Sequence, residues 1–328
     1  MAPLLSLLAD AAVTELAIVR PSEVFVRVRR SWERHDMPEL TEEHLGNLAK
    51  VLAVFNGYDP ATPILSVQFP DGERGQIVRP PACIDGTFSV NIRKHSMVVK
   101  TLEDLTTEGA FASWKDVSHA SGVQSAQPDL PAEDQELLSL KNSGDIPGFL
   151  EAAIHHRRNI LVSGAANAGK TTFARSLIER VPTATRVLTI EDTHELFLPN
   201  HPNRVHLLYA KNPGPGQISA AMCVESAMRM TPDRIFLAEL RGDETWEYLQ
   251  ALNTGHPGSI STTHANSPWD AFMRLALLIK SSESGRGLDL PAIQAYLLST
   301  IHIVLGFENF ALKELYFDPA YARSRIGL

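Results

Sequence analysis

At 328 residues, with 44 % apolar and 21 % charged side chains, the chain is long enough for two domains with cores of their own, and neither global disorder nor a collagen-like repeat fits it. Thirty Lys and Arg against 38 Asp and Glu leave a net charge of −8, which argues against a protein that wraps duplex DNA by neutralising its phosphates. Cys83 and Cys223 supply neither a disulfide framework nor a Cys-x-x-Cys zinc knuckle, as expected in a reducing compartment.

The first stretch, MAPLLSLLADAAVTELAIVR, has no basic side chain before Arg20 and is interrupted by Asp10, so it reads as an amphipathic helix rather than a secretory leader. No run approaches the roughly 18 apolar residues of a membrane span, and a cytoplasmic location is expected. Glu15–Val19 and Val24–Arg29 read as short strands separated by a Pro-Ser turn. Thr41 is an N-cap candidate for a helix with Leu45, Leu48, Leu52 and Phe55 at helical spacing, and Gly57 ends it. Leu65, Val67 and Phe69 alternate as in a strand, as do Phe88, Val90 and Ile92. Residues 1–114 are thus expected to form a small α+β domain on an antiparallel sheet. Residues 115–133, from Lys115 to Glu133, are poor in large apolar side chains, carry two prolines and read as a linker. Residues 134–328 change rhythm. Short apolar runs at Asn159–Ser163, Arg186–Ile190, Arg234–Leu240 and Ser259–Thr263 alternate with amphipathic helices, which predicts an α/β domain with a mostly parallel sheet and a ligand beyond the carboxyl ends of its strands.

Gly164-x4-Gly169-Lys170-Thr171 is a P-loop pattern, with a β-type run before it and a helix carrying Phe173, Leu177 and Ile178 after it. Small residues let backbone N–H groups converge on phosphate oxygens, and the helix N-terminus adds partial positive charge. Lys170 is placed to reach the β- and γ-phosphates, and the Thr171 hydroxyl to ligate Mg²⁺. ATP and Mg²⁺ are therefore the expected cofactors.

Glu191 and Asp192 follow one apolar strand and Glu239 ends another, with Glu195 four residues beyond Glu191. Hydrolysis needs a carboxylate to orient or deprotonate water and another near the metal. Asp192 reads equally as a local cap. Glu239, directly after Ile-Phe-Leu-Ala, stands where the second-strand motif usually puts Asp, and a carboxylate there is expensive to bury without a cation nearby. His256 and His264 flank a Gly/Ser/Thr-rich strand; they read as phosphate sensors or, for His256 with equal weight, as a backbone-bonded strand-end residue. Arg74 and Arg93 in the first half read singly as exposed strand charges, or together as arginines that reach a phosphate held by the second domain.

Taken together, the stretches VTELAIVRPSEVFV, RGQIVRPPA, SVNIRK, GAANAGKT, LTIEDTHEL, RMTPDRIFLAELRGDE and TGHPGSISTTHANS resemble the hexameric traffic ATPases of bacterial type IV secretion systems, in the superfamily that includes type II secretion and type IV pilus motors. The four-cysteine zinc insertion common in the type II branch has no counterpart here. The resemblance spans nearly the whole chain and implies an N-terminal α+β domain, a C-terminal RecA-like P-loop NTPase domain, and nucleotide between them in a six-membered ring. By the same resemblance Gly164, Ala165, Ala166, Asn167, Ala168, Gly169, Lys170, Thr171 and Thr172 hold phosphate, with Mg²⁺ at Thr171 and, directly or through water, at Glu239. Glu191 is then the water-activating base, His264 faces the γ-phosphate, and Arg74 and Arg93 close on the nucleotide, while the role of Arg241 stays open. The implied function is a Mg-dependent ATPase motor for substrate translocation or pilus assembly. Its expected partners are further copies of itself, inner-membrane channel components and other secretion ATPases, at the cytoplasmic face of the membrane. The rival is a RecA-like motor acting on DNA; the absence of a Lys/Arg run or aromatic stacking cluster counts against it, and no stable nucleic-acid complex is expected.

Overall fold

The structure, a computed structural model, describes residues 2–28, 31–94, 99–118, 130–211 and 217–326. It divides into two compact units, Met1–Met97 and Val98–Leu328.

The first unit holds α1 (Leu5–Ala9), β1 (Val13–Arg20), β2 (Glu23–Val28), β3 (Ser31–Asp36), α2 (Glu42–Phe55), β4 (Ile64–Gln68), β5 (Arg74–Val78) and β6 (Ser89–Arg93). The strands form one sheet in the order β3-β2-β1-β6-β5-β4, every neighbour antiparallel. Leu45, Leu48, Ala49, Leu52 and Ala53 form the buried face of α2 and share a core with Leu16, Ile18, Leu65, Val67, Ile77, Val90 and Ile92 of the sheet. Each such buried leucine contributes about 1.5–3 kcal/mol. Thr41 caps α2, its hydroxyl accepting from His44 N at 3.1 Å.

The expected N-terminal helix is much shorter than the apolar stretch suggests. A 3₁₀ turn at Ala2–Leu4 and α1 end at Ala9, and the chain turns at Asp10, whose carboxylate accepts from Ala12 N at 2.8 Å. Val13–Arg20 then pairs on both edges as a central strand, which suits its β-branched Val, Thr and Ile. Arg29, the last residue of an expected strand, lies outside the described residues.

The second unit holds α3 (Leu102–Thr107), β7 (Lys115–Asp116), α4 (Ala132–Ser143), α5 (Ile146–His155), β8 (Ile160–Gly164), α6 (Lys170–Ile178), β9 (Val187–Glu191), β10 (Arg204–Leu208), α7 (Ala220–Met228), β11 (Arg234–Leu237), α8 (Glu244–Asn253), β12 (Ile260–Thr263), α9 (Pro268–Ser281), α10 (Leu290–Thr300), β13 (Ile303–Glu308), β14 (Ala311–Tyr316) and α11 (Pro319–Ile326). Parallel strands run β10-β9-β11 and β12-β8-β13, and the Glu239–Thr262 bridge joins the two sets. β14 adds antiparallel to β13, so the expected parallel sheet ends in a hairpin.

Alternation along the strands sorts side chains to two faces. Ile160, Val162, Phe236, Ile303 and Leu305 pack with α5 and α6; Leu161, Ile235, Leu237 and Val304 pack with α7, α8, α9 and α10. The result is a helix–sheet–helix sandwich, the architecture expected from alternating strands and helices. At the amino end of β8, Asn159 N donates to His302 Nδ1 at 2.9 Å, and the Asn159 side chain binds Thr300 O, Gly258 N and Ser259 N.

The division between units falls earlier than the expected linker. Lys115 and Asp116 pair with Glu314 and Leu315 of β14, and Lys141 Nζ reaches Asp116 at 2.8 Å, so the start of that stretch is built into the second unit. Its end, from Ala132, already forms α4. Residues 119–129 of the expected linker lie outside the described residues. At Lys115 and Asp116 the polar composition is that of an exposed edge strand, which needs a partner for its backbone rather than a core for its side chains.

Candidate active site

The parallel register gathers the strand ends. Ser163 pairs with Thr263, Glu239 bridges to Thr262, and Ile190 pairs with Leu237, so the residues just past β8, β11 and β12 emerge side by side. These are the P-loop, Glu239 and His264.

Two glycines of the loop are dictated by what surrounds them. A Cβ on Gly164 would stand 2.3 Å from Phe307 O, and Gly169, at φ +94°, would drive one to 2.6 Å from the Phe310 ring. Ala165, Ala166 and Asn167 are exposed, Ala168 is buried, and Thr171 and Thr172 are half-buried in the first turn of α6. No side chain caps α6, whose N-cap is Gly169. Its leading N–H groups and partial positive charge thus meet the exposed loop, an arrangement suited to a phosphate.

Lys170 is 6 % exposed, with Nζ 2.9 Å from Gly164 O, 2.7 Å from Ala165 O and 3.3 Å from His264 Nδ1. An ammonium has no acceptor, so His264 Nδ1 accepts and the ring's N–H is on Nε2, which faces Glu239 Oε1 at 3.4 Å. Burial and the charge of Lys170 lower the His264 pKa, which agrees with this neutral tautomer. Glu239 Oε2 lies 3.6 Å from Arg241, which pairs with Asp192 at 2.7 Å and donates to Tyr209 Oη at 3.2 Å with its guanidinium over that ring. Burial alone would lower the Arg241 pKa, but Asp192 and its other anionic neighbours more than offset it. A line of contacts therefore runs Lys170–His264–Glu239–Arg241–Asp192. It can hold a phosphate at one end, a water at a carboxylate in the middle, and a fixed charge at the other.

Glu191 is not in that line. It is fully buried at the end of β9; Oε1 accepts from Thr189 Oγ1 at 2.9 Å and faces His194 Nδ1 at 3.2 Å, while Oε2 accepts from the N–H groups of Glu195 and Leu196 at 2.7 and 2.8 Å. The base role expected for it draws nothing from these contacts, which instead clamp the loop that carries Asp192. Successive residues at a strand end face opposite ways, and the sequence does not say which of an adjacent Glu-Asp pair turns toward the loop. His256 takes the backbone-bonded reading, with Nδ1 3.0 Å from Pro232 O. Burial, with His194 alongside, lowers the His206 pKa to about 4.

Arg74 and Arg93 are direct partners across β5 and β6, and Arg93 is in turn opposite Glu15, which Arg27 holds at 3.2 Å. All four belong to the first unit.

Sequence reasoning left the role of Arg241 open and missed two contributors, Tyr209 and Phe310. Arg241 and Tyr209 frame the acids. Phe310, at the β13–β14 turn, has φ +64°, and its N–H donates to Ala168 O at 3.0 Å. A bulky residue in the left-handed region persists only where its surroundings over-determine it, here the wall of the P-loop.

A P-loop closing a parallel strand onto an uncapped helix, with acid and histidine on the adjoining strand ends, defines a P-loop ATPase. Residues 135–305 match the model of the type II/IV secretion system protein family. The type IV secretion system protein VirB11 of Brucella abortus is 40 % identical over 98 % of this chain and 90 % of its own length, and that of Bartonella quintana is 36 % identical over 99 % and 94 %. The crystal structure of the Brucella suis VirB11 ATPase in complex with sulphate superposes with a TM-score of 0.57 at 38 % identity, covering 100 % of this chain and 96 % of that one. The pilus retraction motor PilT with bound ADP shares the fold alone, with a TM-score of 0.62 at 17 % identity over 99 % and 85 %. The chain belongs to the type II/IV secretion system protein family, and it is a secretion-system ATPase that binds and hydrolyses ATP.

Proposed function

We propose that the protein is a Mg²⁺-dependent motor of a bacterial type IV secretion system, working as a homohexamer at the cytoplasmic face of the inner membrane beside channel components and other secretion ATPases. The observation that carries the reading is the unbroken line Lys170–His264–Glu239 at the strand ends. In this reading the backbone from Gly164 to Thr172 cradles the phosphates and Lys170 leaves its loop carbonyls for them, releasing His264 to face the γ-phosphate. Thr171 and Glu239 would hold Mg²⁺, a hydroxyl and a carboxylate being the hard oxygen donors that ion takes; the metal would supply neutralisation of the charge that builds on the transferring phosphoryl group. Glu239 orients the attacking water, with Arg241 and Asp192 holding it in place. Arg74 and Arg93, from the same or a neighbouring subunit, add positive charge to the nucleotide, and their release after hydrolysis frees the two units to move.

Among the described residues no helix is long and apolar enough to cross a membrane, so association with the inner membrane would be peripheral. The test is phosphate release with Mg-ATP in the same sample whose mass is measured in solution, with Lys170→Ala as control. Turnover by a six-subunit particle, lost by about 10²–10³-fold in Lys170→Ala, is expected. A monomer that hydrolyses ATP unchanged would discard the ring.

A further inference from the structure

A second cluster of chemistry-bearing side chains stands on the opposite edge of the same strand end, and the hydrolytic reading makes no use of it. Its assembly follows from the backbone. The period of two along β9 puts Thr189 and Glu191 on one face, and the parallel register with β10 sets His206 directly opposite Thr189. The loop after β9 then folds back through the two amide bonds to Glu191 Oε2, which returns His194 to the same face. Glu191 Oε1 lies 3.2 Å from His194 Nδ1 and 3.8 Å from His206 Nδ1, and the two imidazoles have ring centroids 4.3 Å apart. The ligand atoms of all three lie within 4.8 Å of one another, and no other such group of three occurs among the described residues.

We propose that Glu191, His194 and His206 form a binding site for one divalent transition-metal ion of the zinc class, separate from the Mg²⁺ of the nucleotide.

Zinc bonds to nitrogen and oxygen at about 2.0–2.2 Å, so the donors of a tetrahedral site stand about 3.4 Å apart, between the two distances to Glu191 Oε1 seen here. Two imidazoles and a carboxylate are the donor set of zinc, copper, nickel or ferrous iron; the hard Mg²⁺ and Ca²⁺ ions prefer oxygen alone. Glu191 is fully buried, while the side chains of His194 and His206 keep 27 % and 23 % exposure, so the carboxylate is fixed and the fourth position faces solvent, open to a water. The neighbours suit the role. Thr189 Oγ1 is 2.9 Å from Glu191 Oε1, and the Glu195 and Leu196 amides hold the second carboxylate oxygen, an outer layer of hydrogen bonds of the kind that orients a ligand; the 2.7 Å contact of Thr189 Oγ1 with His206 Nδ1 gives way when that nitrogen takes the metal. Binding moves each ring's proton from Nδ1 to Nε2 and leaves the ring neutral, so no oxidant or reductant takes part. The sequence carries the set as Glu-x-x-His with a further His on the next strand.

The test uses tag-free, nucleotide-free protein stripped of metal, so its outcome is independent of the hydrolytic reading. Zn²⁺ is titrated against a chromophoric chelator, and Co²⁺ is added in parallel for its visible spectrum. The proposal expects one tight equivalent of Zn²⁺, not displaced by excess Mg²⁺, and the intense visible bands of four-coordinate Co²⁺. His194→Gln and His206→Gln should each weaken binding by more than the about 10–100-fold that loss of a supporting residue costs. His155→Gln, at an exposed histidine elsewhere, should bind as wild type does. Wild-type protein that binds no more Zn²⁺ than a folded His194→Gln/His206→Gln double variant overturns the site. Should the double variant fail to fold, a wild-type Co²⁺ spectrum showing six-coordinate cobalt alone overturns it equally.

Discussion

Lys170 Nζ and His264 Nδ1 meet at 3.3 Å across the mouth of the P-loop, and that single contact fixes the imidazole's tautomer. A glutamine amide can reproduce both halves of the arrangement, its oxygen accepting from Lys170 and its NH₂ donating to Glu239. His264→Gln should therefore keep ATP turnover within about tenfold of wild type, whereas His264→Ala should lose about 10²–10³-fold. Steady-state phosphate release decides it; equal turnover in the two variants removes the imidazole from the reaction.

The proposed role of Glu239 is to align water rather than to bind the phosphates, and a neutral amide in its place keeps one oxygen to accept from Arg241 or from His264 Nε2 but not from both. Glu239→Gln should bind ATP with near wild-type affinity and hydrolyse it about 10²–10⁴-fold more slowly. Equilibrium binding of a fluorescent nucleotide, alongside single-turnover hydrolysis, separates the two effects. Undiminished turnover would assign the water to another residue.

The cross-strand pairing of Arg74 with Arg93 sets two cations opposite each other, which costs a sheet roughly 0.2–1 kcal/mol. Removing either charge should leave stability unchanged or slightly raised, yet lower ATP turnover, if the pair serves the nucleotide. Urea midpoints and phosphate release for Arg74→Ala and Arg93→Ala check both halves. Loss of stability without loss of turnover would make the arginines ordinary strand residues.

His302 is half-buried behind β8 with Nδ1 accepting from Asn159 N, and desolvation of its ring, with Arg158 nearby, lowers its pKa to about 4. An unfolded histidine takes its proton near pH 6.5, so between about 6.5 and 4 the unfolded state holds more protons and stability falls with the pH. The full loss is worth about 3 kcal/mol, and none of it is felt above the unfolded value. Denaturant midpoints across that range should fall less steeply in His302→Gln, whose amide oxygen can accept the same N–H without titrating. Parallel curves would place the acid sensitivity elsewhere.

Much of the catalytic unit was legible because its signals are local. The apolar runs that became β8, β9, β11 and β12 are short, buried on both faces and followed by the residues that matter, and the P-loop spacing is unambiguous. What escaped depends on distant partners. β3 is exposed at all six residues and owes its existence to the edge of β2. β10 shows no alternation, yet it delivers His206. The β13–β14 turn supports the P-loop from some 140 positions away, through a Phe310 conformation that propensity would reject. Glu191 and Asp192 look interchangeable in sequence; only the fold of the following loop decides that one is sealed in and the other faces Arg241.

Between β11 and β12 the regular ladder gives way to a seam stitched largely by alcohols. Ser261 Oγ donates to Leu237 O, Thr262 Oγ1 to Ala238 O at 2.8 Å and Thr263 Oγ1 to Leu240 O at 3.0 Å, beside the backbone bond from Leu240 N to Thr262 O. Side-chain hydroxyls thus hold three carbonyls at this seam that backbone amides hold in a regular ladder, and the segment carrying Glu239 is fastened to the strand that ends at His264 through alcohols. Replacing Thr262 or Thr263 by the isosteric valine would therefore loosen the carboxylate from the imidazole without touching either.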